Sequence, residues 1–218
     1  MAVVAELNKI RTQLPSTVTL IAVSKNHGVD KIREAYDAGQ RIFGENRVQE
    51  LCEKQEALAS DIQWHMIGHL QSNKVKYIAA FIHMIHGVDS EKLLFEINKQ
   101  AIKVGRQIKC LIQIHIAQEE TKFGFSSDEA FNLFSSGRFR TFSNIEFSGL
   151  MAMASLTDDE HLIRTEFKSV AQLFRQIQPL VGSDFSVLSI GMSGDYPIAI
   201  EEGATHIRVG SAIFGSRT

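Results

Sequence analysis

Short, nearly all-apolar segments alternate with amphipathic ones eight times along 218 residues, and this alternation restricts the possible folds more than any other feature. The apolar runs predict strands over residues 18–24, 41–44, 62–67, 84–88, 108–116, 145–151, 185–190 and 206–209. Helical spacing predicts helices over 30–38, 46–58, 73–80, 90–104, 127–135, 158–178 and 195–202, and an extra one over 2–13. Ser90 and Ser127 are expected to open their helices, and Gly39, Pro179 and Gly203 to end theirs. Strands that are apolar throughout, rather than alternating, belong to a parallel sheet covered by helices. Repeated strand–helix units without a Pro/Gly-rich linker predict a single-domain (β/α)8 TIM barrel over residues 1–218, with an extra N-terminal helix. An open doubly wound sheet is the competing fold, but no Gly-rich dinucleotide loop follows the first strand.

Composition removes several function classes. The formal net charge is −2, which provides no broad basic surface for nucleic acid or anionic lipid. Cys52 and Cys110 lack the paired spacing of a zinc or redox motif and are expected to be reduced thiols. Residues 1–11 carry Glu6 and no long apolar run, so no signal peptide is expected. No stretch reaches the roughly 20 apolar residues of a membrane helix. A cytoplasmic protein without membrane or nucleic-acid partners is the expectation.

Barrels of this type carry their chemistry at the C-terminal ends of the strands. Lys25 follows the first strand, Gly44, Glu45 and Asn46 the second, and His65, Gly68 and His69 the third. Met151 and Met153 follow the sixth, Gly191-Met-Ser-Gly-Asp195 the seventh, and Arg208, Gly210 and Ser211 the eighth. Lys25 alone reads first as a surface lysine that snorkels outward, and second as an amine of lowered pKa able to form a Schiff base. The glycine-rich turn before the helix at 195 reads as a capped loop or as an anion cradle in which Ser193 adds a hydroxyl. Gly210 and Ser211 open a short final helix, and barrels commonly hold phosphate between the loops after strands seven and eight. Arg208 is either a barrel ion pair or a donor to a ring nitrogen or an anion. His65 and His69 are four residues apart, but the first lies in a strand, so helical metal-ligand geometry fails. Glu119, Glu120 and Lys122 form a polar loop after the fifth strand, either a lid or a solvated turn.

Several stretches together resemble one family: Ala22-Val-Ser-Lys25, Phe43-Gly-Glu-Asn-Arg-Val-Gln-Glu50 and Trp64-His-Met-Ile-Gly-His-Leu-Gln-Ser-Asn-Lys74, then Gly149-Leu-Met-Ala-Met153, Gly191-Met-Ser-Gly-Asp195 and Arg208-Val-Gly-Ser-Ala-Ile-Phe-Gly215. In this order they resemble the pyridoxal phosphate homeostasis proteins, the YggS/PROSC group of pyridoxal phosphate (PLP)-binding proteins. The resemblance implies a monomeric barrel like the N-terminal domain of alanine racemase (fold-type III), with PLP held as an internal aldimine on Lys25. It further implies that Ser193, Gly210 and Ser211 hold the phosphate, that Arg208 faces the pyridine nitrogen, and that Asn46 lies near the cofactor. The segment Gln113-Ile-His-Ile-Ala-Gln-Glu-Glu120 departs from the family's Asn-rich version.

A permanent cation at the ring nitrogen disfavours its protonation and weakens the cofactor as an electron sink. Tyr36, Tyr77 and Tyr196 are the only tyrosines, and none stands out as a second base. The expectation is therefore a non-catalytic PLP carrier that can pass its cofactor to PLP-dependent apo-enzymes. The alternatives are a fold-type III racemase or lyase, and a sugar-phosphate barrel enzyme in which Lys25 acts like an aldolase lysine.

Overall fold

A computed structural model of the protein describes residues 2–116 and 123–215. The strands are β1 Thr19–Val23, β2 Ile42–Glu45, β3 Gln63–Met66, β4 Met84–Val88, β5 Ile108–Ile114, β6 Ile145–Ala152, β7 Val187–Ser189 and β8 His206–Val209. The helices are α1 Ala2–Gln13, α2 Val29–Asp37, α3 Val48–Ala57, α4 Val75–Ile78, α5 Glu91–Lys103, α6 Ser127–Ser135, α7 Glu160–Val181, α8 Tyr196–Glu201 and α9 Ser211–Phe214. All eight strands run parallel and close in chain order, with β8 pairing back to β1 through Ile21 opposite Arg208. The expected α/β TIM barrel with an extra N-terminal helix is what forms.

Alternate residues of a strand face opposite sides of the sheet. Ile85, Cys110, Ile112, Leu150, Leu188 and Ile207 face outward into the main core shared with the helices. Met84, Leu111, Met151 and Val187 form a separate apolar cluster on the inner face. Two irregularities adjust this alternation. Cys110 pairs with Phe147 but Leu111 with Gly149, which leaves Ser148 as an extra residue in β6. Gly149 sits at φ +156, and a Cβ there would lie 1.7 Å from the Val187 carbonyl oxygen, so only glycine allows β6 to meet β7. β4 likewise carries one extra residue between Ile85 and Val88 relative to β5.

α1 buries Val3, Leu7 and Ile10, one stripe of the helix, and Arg11 secures it by donating to the Ala38 carbonyl and to Gln40 Oε1. Ser90 caps α5 as expected. α6 is opened by Ser126 rather than Ser127, through a reciprocal capping box with Glu129. α7 runs through Pro179 to Val181, because a proline in the last turn removes only one ladder bond. Gly182 at φ +123 ends it. α3 starts at Val48 rather than Asn46, and α4 is one turn preceded by a 3-10 segment, Ser72–Lys74. The loop residues Glu119, Glu120 and Lys122 lie outside the described residues. No helix among the described residues is long and apolar enough to cross a membrane.

Candidate functional site

The mouth of the barrel at the C-terminal ends of the strands holds a cavity of about 500 Å3. Its lining includes Lys25, Asn46, Ser193, Arg208, Gly210 and Ser211. The six residues singled out in the sequence, from β8 itself and from the loops after β1, β2, β7 and β8, thus converge on one space. The volume falls within the roughly 300–1,000 Å3 of small-molecule sites. A second lobe of about 380 Å3 adjoins it, sharing Asn46, Ile67, Met153, Leu156 and Met192 and adding His69, Gln113, His115 and Phe123.

Lys25 is half-buried at the end of β1, and its backbone is held from behind. Lys54 of α3, itself buried, donates to the Ser24 carbonyl at 2.8 Å and to Glu45 and Glu50, both at 2.7 Å. Ser24 Oγ donates to Glu45 Oε1 at 2.6 Å, and the N–H of Asn26 donates to Glu50 Oε1 at 2.6 Å. Asn26 takes a left-handed φ of 63°, a conformation that asparagine tolerates better than most residues. These bonds fix both neighbours of Lys25 and so aim its stem. Burial raises the Glu45 carboxyl above its ordinary value, with Lys54 pulling the other way. Nothing in the sequence marked Lys54 as buried. This cluster is the part of the site that sequence reasoning missed.

Asn46 reaches the cavity because residue 68 is glycine. A Cβ there would lie 2.6 Å from the Asn46 carbonyl oxygen. The loops after β7 and β8 are joined by a hydrogen bond from the Gly210 N–H to Ser193 Oγ at 3.2 Å. Asp195 does not cap α8 and instead accepts from the Met192 N–H, which shapes the glycine turn. Ser211 and Ala212 form the first turn of α9, where backbone N–H groups have no acceptor within the helix. Lys31 donates to the Phe214 carbonyl at 2.9 Å, and the His27 ring lies 5.2 Å from the Phe214 ring, which anchors α9 over the mouth.

Among the described residues, Arg208 forms no ion pair. Its guanidinium, only 3% exposed, donates to the Ser189 carbonyl and hydroxyl, both at 2.7 Å, and to the Ala152 carbonyl at 2.9 Å. Burial lowers its pKa to about 10, so it remains a cation near neutral pH. The donor set of an amine, two serine hydroxyls, a glycine-rich turn and a buried guanidinium suits an anionic heteroaromatic aldehyde. The two histidines four residues apart separate. His65 faces into the barrel, bonded to His86 at 2.8 Å, whereas His69 lies in the outer lobe, bonded to Asp89 at 2.8 Å. Among the described residues, no group of three His, Cys, Asp or Glu could hold a metal ion.

The family model for the alanine racemase N-terminal domain matches residues 1–218. The pyridoxal phosphate homeostasis protein of Aquifex aeolicus is 38% identical over 199 residues, covering 91% of this chain and 86% of that protein. PipY of Synechococcus elongatus, solved without PLP, is 38% identical with a TM-score of 0.92 and covers 98% of this chain and 100% of that one. The PipY structure with PLP bound has the same identity and coverage at a TM-score of 0.88. Alanine racemase from E. faecalis, 16% identical with a TM-score of 0.75 over 99% of this chain and 58% of its own, shares the fold.

Proposed function

The chain belongs to the family of pyridoxal phosphate homeostasis proteins, and from that membership we propose that its barrel-mouth cavity binds PLP reversibly, linked through Nζ of Lys25, without turning over a substrate. Bound PLP supplies an aldehyde that condenses with a primary amine, forming a C=N bond and releasing one water. Lys25 offers that amine, on a backbone that Lys54, Glu45 and Glu50 hold in place. Ser193, Gly210 and Ser211 grip the phosphate through hydroxyl and backbone donors at the joined loops. Arg208 donates to the ring nitrogen, and Asn46 lies beside the ring. The observation that carries this reading is the convergence of these six residues on one cavity of suitable size.

A carrier role is supported by the site's own chemistry. The Arg208 cation disfavours protonation of a ring nitrogen beside it, which leaves a poor electron sink. Tyr36 is engaged with Asp61, Tyr77 is exposed, and Tyr196 packs against the core, so none lines either lobe. The relatives' names state homeostasis and no reaction. On this reading, one barrel domain, acting as a cytoplasmic monomer, shields a reactive aldehyde and yields it to PLP-dependent apo-enzymes.

Titration with PLP, followed by absorbance and equilibrium dialysis, tests the proposal. One PLP per chain and a new absorbance band, absent from free PLP, that vanishes in Lys25→Ala support it. A chain that takes up no PLP refutes it. Exchange of amino-acid α-protons in deuterated water at an enzyme-like rate supports the racemase or lyase reading instead.

A further inference from the structure

The inner face of the barrel is unusually polar on one side. β3, β4, β7 and β8 turn His65, His86, Ser189 and Arg208 inward, and these residues are 1%, 0%, 0% and 3% exposed. They form a continuous chain. Arg208 Nη1 lies 2.7 Å from Ser189 Oγ, which lies 3.0 Å from His86 Nδ1. His86 Nε2 in turn lies 2.8 Å from His65 Nδ1.

The chemistry of the end group sets the direction. A guanidinium has only donors, so Ser189 Oγ accepts from Arg208. The hydroxyl proton of Ser189 then points at His86 Nδ1, because the described residues offer it no other acceptor. His86 must therefore carry its proton on Nε2 and donate to His65 Nδ1. His65 in turn carries its proton on Nε2, and that nitrogen is buried with no partner among the described residues. The reverse order would leave the serine hydroxyl proton stranded in the core at a cost, in addition to the unpaired His65 nitrogen. The groups facing the two rings are His83, His206, Lys109 and Arg208, all basic, so neither ring gains by becoming a cation.

We propose that Ser189, His86 and His65 are positioning residues that lock the Arg208 guanidinium in one plane, so that a remaining N–H meets the ring nitrogen of the bound cofactor as a donor. This rests on the PLP-binding reading above. His65 and His86 act only through Ser189 and Arg208 and touch no ligand.

Two measurements separate this proposal from the reading beneath it. In the ligand-free protein, 15N-histidine NMR is expected to show both rings neutral with the proton on Nε2. A proton on His86 Nδ1 overturns the chain's direction whatever PLP does. With PLP labelled by 15N at the ring nitrogen, the wild-type resonance is expected to stay at its unprotonated position as pH falls. In Ser189→Ala and His86→Phe it is expected to move toward the protonated position, with PLP affinity changed less than about tenfold, because Arg208 keeps its bonds to the Ser189 and Ala152 carbonyls. His86→Asn, whose amide oxygen can still accept from Ser189, is expected to restore the wild-type resonance. If Ser189→Ala binds PLP with an unchanged ring-nitrogen resonance and pH profile, the network is structural only and the proposal fails. Wild-type protein that binds no PLP fails the reading beneath it.

Discussion

Lys25 is positioned by residues that never enter the cavity. Lys54 donates to three acceptors, two of them the carboxylates Glu45 and Glu50, and the Lys54–Glu45 pair is almost fully buried. Removing one partner of such a pair leaves a buried charge without compensation. Lys54→Met is therefore expected to lower unfolding stability by about 3–5 kcal/mol, read from urea denaturation. A loss below ~1 kcal/mol would show that solvent reaches Glu45 easily and that the cluster does not brace the loop. Lys25 itself has the opposite profile. Lys25→Ala is expected to change stability by less than ~1 kcal/mol while abolishing borohydride-fixable PLP, because its head group faces the cavity rather than the core. The residues around the mouth were legible because glycine, lysine and serine after an apolar strand have no packing rationale. The bracing cluster was not, because Glu and Lys on a helix ordinarily face water, and only tertiary packing buried Lys54.

Each helix and strand boundary depends on local chemistry that is partly visible in advance. The eight strands and their closure in chain order were readable from apolar runs alternating with helices. The capping residue of α6 differs from the expected one for a physical reason. Ser126-Ser127-Asp128-Glu129 contains a capping box whose serine is the first, not the second, since Glu129 stands three residues after Ser126. Ser126→Ala is expected to cost about 1 kcal/mol, measured by thermal or urea unfolding, and Ser127→Ala only a few tenths. Equal effects would contradict the cap assignment. The extra residues in β4 and β6 were not legible, because a bulge keeps the apolar composition of a strand while breaking its alternation. Gly149 was visible only as part of a motif. Its demand for glycine comes from the Val187 carbonyl of the next strand.

The barrel as a body should respond to acid through its inward histidines. Burial lowers the pKa of His65 and His86 well below the ordinary value and that of His206 to about 4. Above about pH 6.5 these rings are neutral in both folded and unfolded chains and their titration costs nothing. As pH falls below 6.5 the unfolded chain takes up protons that the folded barrel refuses, so stability drops by about 1.4 kcal/mol per pH unit for each ring. Glu45, raised by burial, works in the opposite sense and offsets part of this at lower pH. Urea midpoints at pH 7 and pH 5 are expected to fall with pH, and His86→Phe, if it folds, to flatten the profile; a midpoint unchanged between the two pH values would mean that the rings are not buried neutral. The proposed PLP site depends on one arrangement: Lys25, Ser193 and Gly210 lining a single cavity at the mouth. Borohydride reduction of the PLP-loaded protein, followed by peptide mapping, tests this most directly. A single pyridoxyl label on Lys25, absent from Lys25→Ala, is the predicted result. A label on another lysine, or none in a protein that still binds PLP, would contradict it.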